Sequence, residues 1–291
     1  MAAKCRLVRR ALQGAGQAGT LAPMDWDDAF DNSGHVPGSA AYAGRWQRQA
    51  AEFRMGLGAR AETGIEVGGG AWLDLFHPPD TAHGVAVFIH GGYWKAFAPD
   101  LFSHLAAGAL ASGLAVAMPG YPLAPAARIG EITNAVARAV EAAAARLPGP
   151  IHLAGHSAGG HLAARLLCAD APLSPATAVR VAGALSISGV HDLRPLLNTR
   201  MNALLRLDRA EAAAESPALL SPRPGSRLTA AVGLDERPEF LRQARLLVSM
   251  WAGLGARTRL LDLPERHHFD IIEGLERPDT PLMAALLSPG G

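Results

Sequence analysis

The sequence predicts an α/β fold with a mostly parallel central sheet, helices on both faces and a small helical cap. Three observations support this prediction. Short, almost wholly apolar runs of strand length alternate with longer helical patterns along the chain. A glycine-flanked serine stands where one of these strands meets a helix. Residues 193–225 change to short helical pieces interrupted by prolines, which is typical of a cap.

The elements of the N-terminal half follow from periodicity and from glycine or proline boundaries. The run at 84–90 is apolar on both faces, so it is predicted to be a central strand. In chain order, the predicted elements are an amphipathic helix at 40–54, antiparallel edge strands at 64–67 and 71–76, the strand at 84–90, a helix at 100–111, a strand at 114–118 and an alanine-rich helix at 128–146.

The C-terminal half continues the alternation of strands and helices. Its predicted elements are a strand from 151 with the helix after the serine, a strand at 181–188, the cap at 193–225, a strand at 228–232, a helix at 238–254 and a strand at 258–263. This rhythm implies right-handed crossovers and parallel strands. Because no linker or internal repeat interrupts it, we expect residues 24–291 to form a single domain.

Composition restricts the class of partner. The chain has 291 residues, 49% of them hydrophobic, and a formal net charge of +1. Because charges of both signs are interspersed, we expect a small-molecule substrate and neither nucleic acid nor a membrane as partner. A homodimer is compatible with the sequence. The longest uncharged stretch, 105–127, contains Ser-Gly and Pro-Gly breaks, so no transmembrane segment is predicted.

Cysteine usage and the N-terminal segment provide further expectations. Cys5 and Cys168 are the only cysteines, and their context indicates neither a disulfide nor a thiolate metal site, which suits a cytoplasmic protein. Residues 1–23 are basic and lack acids, which indicates a disordered tail or a mis-assigned start upstream of Met24. The G-x-G-x-x-G at 14–19 has no preceding strand, so no nucleotide cofactor is expected.

The glycine-flanked serine is the main chemical feature. Gly155-His156-Ser157-Ala158-Gly159 fits G-x-S-x-G and lies between an apolar run and a helical pattern. This context is typical of a nucleophile elbow, in which a strained turn lifts the serine hydroxyl clear of a parallel sheet. Ser157 is therefore the predicted nucleophile.

A serine nucleophile needs a base and an acid that orients the base. In α/β hydrolases these partners follow the serine as Asp or Glu and then His, in loops after later strands. Asp235 comes directly after the predicted strand at 228–232 and is the favoured acid. Asp192, which follows the preceding strand, and Glu236 are the alternatives.

Two adjacent histidines follow the last predicted strand. His268 is the favoured base because it directly precedes Phe269, where a helical segment would fix the imidazole, whereas His267 would be an exposed loop neighbour. His156 and His161 flank the elbow five residues apart without the carboxylate pattern of a metal site, so no metal is expected.

The tetrahedral intermediate of acyl transfer also needs an oxyanion hole, formed by paired N–H donors. One donor is expected at Ala158, the residue after the nucleophile. The second is expected at Gly91 or Gly92, in the turn after the predicted central strand at 84–90. The aromatic residues Tyr93, Trp94 and Tyr121 are candidates to line the substrate pocket and to stack on an aromatic leaving group.

These residues resemble a known family. His90-Gly-Gly-Tyr-Trp94 is similar to the H-G-G-x-W signature of the kynurenine formamidases, or arylformamidases, among the α/β hydrolases, and differs from the H-G-G-G of hormone-sensitive-lipase-like esterases. The resemblance extends over most of the chain from Met24, through the segments 31–32, 36–37, 155–160, 187–195, 232–238 and 268–269.

The resemblance implies an α/β-hydrolase fold and hydrolysis of an aryl formamide, such as N-formyl-L-kynurenine, to formate and the aromatic amine without a cofactor. A carboxylesterase for small acyl or aryl esters is the alternative, because an amidase and an esterase share every catalytic part. A third hypothesis, an α/β hydrolase that only binds a ligand, is disfavoured because serine, acid, base and glycine turn are all present in order.

Overall fold

The computed structural model describes residues 24–291. The predicted tail at 1–23 and its G-x-G-x-x-G run lie outside the described residues. Within them, eight strands form one sheet. They are β1 (Ala61–Gly68), β2 (Ala71–Phe76), β3 (Val85–Ile89), β4 (Ala115–Gly120), β5 (Ile151–His156), β6 (Val181–Ile187), β7 (Arg227–Gly233) and β8 (Arg257–Leu263).

The strand order across the sheet is β1-β2-β4-β3-β5-β6-β7-β8. β2 pairs antiparallel with both β1 and β4, and the strands from β4 through β3 to β8 pair parallel to one another. This confirms the predicted α/β fold with a mostly parallel sheet, and it places the predicted antiparallel pair at one edge. The carboxyl ends of β3, β5, β7 and β8 therefore meet at one end of the sheet, where ligands bind in such folds.

Helices cover both faces of the sheet. The α-helices are α1 (Trp26–Ala29), α2 (Asn32–His35), α3 (Ala41–Leu57), α4 (Ala107–Ala111), α5 (Ile129–Arg146), α6 (Ala158–Arg165), α7 (Pro175–Ala178), α8 (Asn202–Leu205), α9 (Arg209–Ala214), α10 (Pro238–Ala252) and α11 (Pro281–Leu287). Short 3₁₀ helices occupy Gly58–Arg60, Pro99–Leu101, Ser103–Ala106, Arg194–Asn198, Pro217–Leu219 and Ile271–Leu275. Among the residues that the structure describes, no helix combines the length and apolarity needed to cross a bilayer.

The central strand β3 contributes to two hydrophobic clusters. Val85, Val87 and Ile89 belong to the cluster with α5, α6 and α10, whereas the alternate residues Ala86 and Phe88 belong to the cluster with α3, α4 and α11. Successive side chains of a strand point to opposite faces of the sheet. The almost continuous apolar run at 84–90 therefore follows from burial on both faces.

The predicted helix at 100–111 differs from the structure in its first half. Residues 99–106 form 3₁₀ turns, and only Ala107–Ala111 are α-helical. Arg54 donates to the carbonyl oxygen of Asp100 and, at 2.7 Å, to the hydroxyl of Ser103. The Asp100 carbonyl is therefore engaged by a side chain from α3, although an α-helix would use it for the N–H four residues later. Because Arg54 is distant in sequence, the hydrophobic periodicity of residues 100–111 could not indicate this contact.

The cap predicted at 193–225 contains two 3₁₀ helices, α8 and α9. Its residues Leu196, Leu205 and Ala212 are buried and belong to the hydrophobic cluster that includes α5, α6 and α10. The indole N–H of Trp251 in α10 donates to the carbonyl oxygens of Pro217 at 2.9 Å and Leu220 at 3.1 Å. These hydrogen bonds fix the C-terminal part of this segment against helix α10.

Candidate active site

Ser157 occupies a strained turn between β5 and α6. Its backbone has φ 55° and ψ −118°, a region that side-chain-bearing residues rarely adopt. A Cβ on Gly155 would lie 2.0 Å from the Gly159 carbonyl oxygen, and a Cβ on Gly159 would lie 1.9 Å from that of Ile89. Both flanking positions therefore require glycine, and the local geometry is that of the predicted nucleophile elbow.

The ring of His268 is held by Glu236. The imidazole Nδ1–H donates to Glu236 Oε2 at 2.8 Å. The second carboxylate oxygen, Oε1, accepts from the hydroxyl of Ser188 at 2.5 Å and from the backbone N–H of Gly233 at 2.9 Å. The Glu236 side chain is fully buried. The carboxylate is thus fixed by three donors, and it leaves the other ring nitrogen of His268 available for chemistry.

The prediction that Asp235 orients this histidine is wrong. Asp235 is exposed, its backbone N–H donates to the Arg266 carbonyl at 3.0 Å, and its own carbonyl lies 3.0 Å from His35 Nε2. In the turn that follows β7, the side chain of Glu236 points inward. Glu236, one of the alternatives, is therefore the residue that contacts His268. The other alternative, Asp192, instead forms an ion pair with Arg194 at 2.8 Å.

The two adjacent histidines have different environments. His267 Nδ1 accepts from the backbone N–H groups of Phe269 and Asp270, each at 3.2 Å, and its Nε2 lies 3.2 Å from the Tyr42 hydroxyl. His267 therefore holds its own loop and the helix α3 together. His268 is the one of the pair that contacts a buried carboxylate, and its role as the base stays a prediction.

His156, the residue before the nucleophile, joins the elbow to the histidine loop. Its Nε2–H donates to the backbone carbonyl of His268 at 2.8 Å, and the two ring centroids are 4.6 Å apart. Burial, reinforced by the neighbouring His268, holds the pKa of His156 well below its usual range. His156 is therefore a neutral donor that fixes the loop carrying the candidate base.

The predicted oxyanion turn lies against the nucleophile. A Cβ on Gly91 would be 3.0 Å from the Cβ of Ser157, so only glycine allows this approach. The buried His90 ring donates from Nδ1 to the Gly91 carbonyl at 2.7 Å. In a planar trans peptide the N–H points opposite to the C=O, so this bond also fixes the direction of the Gly92 N–H. Ala158 begins α6, where an N–H has no intrahelical acceptor.

Of the three aromatic residues predicted to line the substrate pocket, only Tyr93 does so. Tyr121 is buried and stacks on His90 with centroids 4.3 Å apart, and its hydroxyl donates to the His90 carbonyl at 2.8 Å. Trp94 is fully buried and meets His161 edge-on at 5.1 Å. Both predictions are therefore corrected: the Tyr121 ring packs on His90, the residue before the glycine turn, and the Trp94 ring packs on His161 in the core.

A cavity of about 400 Å³ opens beside Ser157. Gly91, Gly92, His156 and His268 share its wall with the serine. Its volume is in the range of small-molecule sites. The aromatic side chains on its wall are Phe30, Trp46, Tyr93, Phe97, Phe102 and Phe269.

Two segments of the cavity wall were not identified as site residues by sequence reasoning. One comprises residues 27 and 30–33 near the N-terminus, and the other comprises residues 199–201 in the cap. They are tied together where the Arg200 backbone N–H and Nε–H donate to the Asp27 carboxylate at 2.8 and 2.9 Å. In the sequence, only the resemblance of Asp31-Asn32 to the family pointed to the first segment, and it assigned no role to these residues. Long-range packing brings both segments to the strand ends.

Within residues 24–291, no group of three or more His, Cys, Asp and Glu side chains is arranged to hold a metal ion. Cys168 is buried and unpaired, and burial raises the pKa of its thiol to about 12. A thiol with that pKa stays protonated at neutral pH, so Cys168 is a packing residue.

We expect acid to destabilise the fold through its buried histidines. Burial lowers the pKa of His90 to about 4 and, aided by a nearby cation or histidine, the pKa values of His161 and His191 to about 3. Unfolded histidines take up protons near pH 6.5 while the folded ones stay neutral, so stability falls as the pH drops below that value. Each should cost about 1–2 kcal/mol of unfolding free energy between about pH 7.5 and about pH 5. Urea denaturation across this range tests the prediction, and a stability that stays constant or rises toward acid would refute it.

Comparison with known proteins shows the family and the fold of the chain. The sequence pattern of the Alpha/beta hydrolase family matches residues 86–290. A kynurenine formamidase from Salmo salar is 31% identical over 77% of this chain and 79% of its own length. A solved structure from silicibacter sp. tm1040, named as a candidate thioesterase, is 45% identical with a TM-score of 0.87, covering 91% of this chain and 99% of its own. An esterase from Pyrobaculum calidifontis, 18% identical over 97% of this chain and 96% of its own, shares the fold with a TM-score of 0.67.

Proposed function

Because the chain belongs to the alpha/beta hydrolase family and, within it, to the kynurenine formamidase branch, we propose that this hydrolase cleaves a short-acyl aryl amide. The proposed substrate is N-formyl-L-kynurenine, and the products are formate and L-kynurenine. The observation that carries the proposal is the placement of Ser157 and His268 on one cavity wall, with the ring of His268 fixed by Glu236.

In the proposed mechanism, His268 removes the proton from the hydroxyl of Ser157 as that oxygen attacks the formyl carbon. Glu236 keeps the proton of the neutral imidazole on Nδ1, so Nε2 is free to act as the base. The negative charge of the Glu236 carboxylate stabilises the imidazolium that forms. His268 then gives the proton to the departing aromatic amine. Water hydrolyses the formyl-serine in a second round of the same steps, releasing formate.

The oxygen of the tetrahedral intermediate is proposed to bind the backbone N–H groups of Ala158 and of the Gly91-Gly92 turn. The His90 bond to the Gly91 carbonyl aims the N–H of Gly92, so we favour Gly92 over Gly91 as the second donor. Donors that are already fixed need no reorganisation as charge develops, and one such donor typically contributes about 3 kcal/mol.

The shape of the cavity supports an aryl leaving group. Its aromatic wall offers stacking and edge contacts to a benzene ring. On the acyl side, Gly91 approaches Ser157 closely, and Tyr93 follows the glycine turn directly with φ 50°. The close approach of Gly91 limits the space between the glycine turn and the nucleophile, which suits formyl, the smallest acyl group.

Hydrolysis of small acyl esters or thioesters is the second candidate function. It is favoured by the 45% identity with the silicibacter protein named as a candidate thioesterase. An ester, a thioester and an amide pass through the same tetrahedral chemistry, so the residues already named would serve each of them.

We expect rates to fall steeply with acyl length. In p-nitrophenyl esters, kcat/KM should drop by about tenfold to a hundredfold from acetate to butyrate, because a misplaced carbonyl loses its alignment with the nucleophile and the N–H donors. N-formylkynurenine should be turned over at least as well as the acetate. The measurement is kcat/KM for acetate, butyrate, octanoate, an acetyl thioester and N-formylkynurenine at one pH. Values that stay equal or rise with acyl length, together with no turnover of the formamide, would replace this proposal with the esterase.

A further inference from the structure

Asn32 is a buried polar residue on the cavity wall that the mechanism above does not use. It begins the short helix α2 and is 4% exposed. Its amide nitrogen lies 3.4 Å from the hydroxyl oxygen of Tyr93, and its amide oxygen Oδ1 is buried without a hydrogen-bond partner. Asn32 is also among the residues that line the cavity beside Ser157.

The hydrogen bonds of Tyr93 fix the orientation of this amide. Its hydroxyl donates to the backbone carbonyl of Phe30 at 2.7 Å. A phenol has only one proton to donate, so toward Asn32 the Tyr93 oxygen can only accept. The NH₂ group of Asn32 must therefore face Tyr93, and Oδ1 must occupy the other side of the amide. The orientation follows from proton accounting and does not depend on distinguishing nitrogen from oxygen.

The tyrosine remains a proton donor under ordinary conditions. Burial, reinforced by the nearby charge of Glu236, raises the pKa of Tyr93 far above its usual range. At neutral pH, Tyr93 therefore always donates to the Phe30 carbonyl and accepts from the Asn32 NH₂ group. The Asn32 oxygen Oδ1 stays the acceptor without a partner.

A buried acceptor without a partner is costly, and such groups are rare in folded proteins unless a ligand or water satisfies them. Here the unsatisfied atom belongs to Asn32, a residue that lines the cavity beside Ser157. We propose that Asn32 Oδ1 accepts a hydrogen bond from an N–H on the amine half of the substrate. This inference deepens the proposed function, on which it rests for the substrate class, and it makes Asn32 a residue that selects N–H-bearing leaving groups over isosteric groups without a donor.

The selectivity depends on whether the bound ligand gives Asn32 Oδ1 a hydrogen-bond partner. An aryl amine or anilide satisfies Oδ1, whereas an ester oxygen or a methyl group at the same place excludes water and leaves the acceptor unpaired. A site built to bond an N–H rejects the analogue lacking it far more strongly than an apolar site does.

The test uses a pair of inhibitors that differ in one group. The aryl amine 2′-aminoacetophenone and 2′-methylacetophenone, in which a methyl replaces the NH₂, compete with hydrolysis of p-nitrophenyl acetate. We expect the amine to have the lower inhibition constant in the unaltered enzyme. The ratio of the constant of the methyl analogue to that of the amine should fall by about tenfold in Asn32→Leu. Asn32→Asp retains an acceptor oxygen and should leave the ratio closer to that of the unaltered enzyme.

Asn134→Leu is the matched control, because Asn134 is exposed on α5, where its amide donates to the Gly130 carbonyl at 2.8 Å, away from the cavity. Its inhibition ratio should be that of the unaltered enzyme. The proposal is overturned if folded Asn32→Leu keeps that ratio, or if the amine does not bind better than the methyl analogue to begin with. A cooperative thermal transition establishes folding, and Asn32→Ala, which also lacks the acceptor, replaces Asn32→Leu if the latter is unfolded.

The proposed function can fail separately. If the enzyme hydrolyses p-nitrophenyl acetate but not N-formylkynurenine, the formamidase proposal falls, and the inhibitor ratio still decides whether Asn32 recognises an N–H. If the formamide is cleaved but Asn32→Leu leaves the ratio unchanged, the formamidase proposal stands and the role of Asn32 falls.

Discussion

Ser157→Ala is expected to lower kcat/KM by about 10⁴- to 10⁶-fold, the range observed when a serine hydrolase loses its nucleophile. The reason is that no other hydroxyl occupies the turn between β5 and α6 with access to both His268 and the glycine turn. Residual hydrolysis would come from a water molecule that attacks the substrate carbonyl while the N–H donors stabilise its oxygen. Initial rates with p-nitrophenyl acetate and N-formylkynurenine measure the loss.

The fold should tolerate this change. Alanine and serine have similar volumes and the same preference against the positive φ that the elbow requires, so the melting temperature should shift by only a few degrees. Ser39→Ala is the control, since the hydroxyl of Ser39 donates to the Ser33 carbonyl at 2.9 Å in a surface turn. Substantial activity in folded, uncontaminated Ser157→Ala would remove this serine from the mechanism.

Glu236→Gln is expected to lower kcat by about 10³- to 10⁴-fold with little change in KM. A glutamine can turn its NH₂ toward His268 Nδ1, which then must act as an acceptor and carry its proton on the wrong nitrogen. The amide also lacks the charge that stabilises the imidazolium. Steady-state kinetics with p-nitrophenyl acetate, run with thermal unfolding, separate this loss from instability.

Asp235→Asn provides the matched comparison, because it makes the same chemical change one residue earlier. Asp235 is exposed and only its backbone takes part in the turn, so this variant should stay within about threefold of the unaltered enzyme. The reverse pattern, with a large loss in Asp235→Asn and a small one in Glu236→Gln, would show that the loop rearranges in solution and would restore Asp235 as the acid.

The elements that the sequence predicted well are those whose signal is local. The apolar run at 84–90 predicted strand β3 because burial on both faces leaves no polar alternation. The elbow was predicted at Ser157 because a glycine pair, a strand and a helix occur together within a few residues. His268 was favoured over His267 from the neighbouring Phe269 alone.

The sequence favoured Asp235 as the acid, and no local signal pointed to Glu236 instead. Both carboxylates lie in the same turn after β7, and which one faces inward depends on the N–H of Gly233 and the hydroxyl of Ser188, a residue from the neighbouring strand end. The roles of Trp94 and Tyr121 were missed for a related reason. Aromatic residues next to a catalytic turn have the same local pattern whether they face the ligand or pack beneath the turn.

The origin of the cavity wall affects how substrate range could be altered. The proposed reacting groups stand on strand ends, whereas much of the wall comes from the segments 27–33 and 199–201, which are linked by the Asp27–Arg200 ion pair. Neither segment supplies a strand to the sheet or a group to the proposed chemistry. Laboratory evolution aimed at new leaving groups should therefore randomise these two segments jointly, since the Asp27 carboxylate accepts hydrogen bonds from both the backbone and the side chain of Arg200.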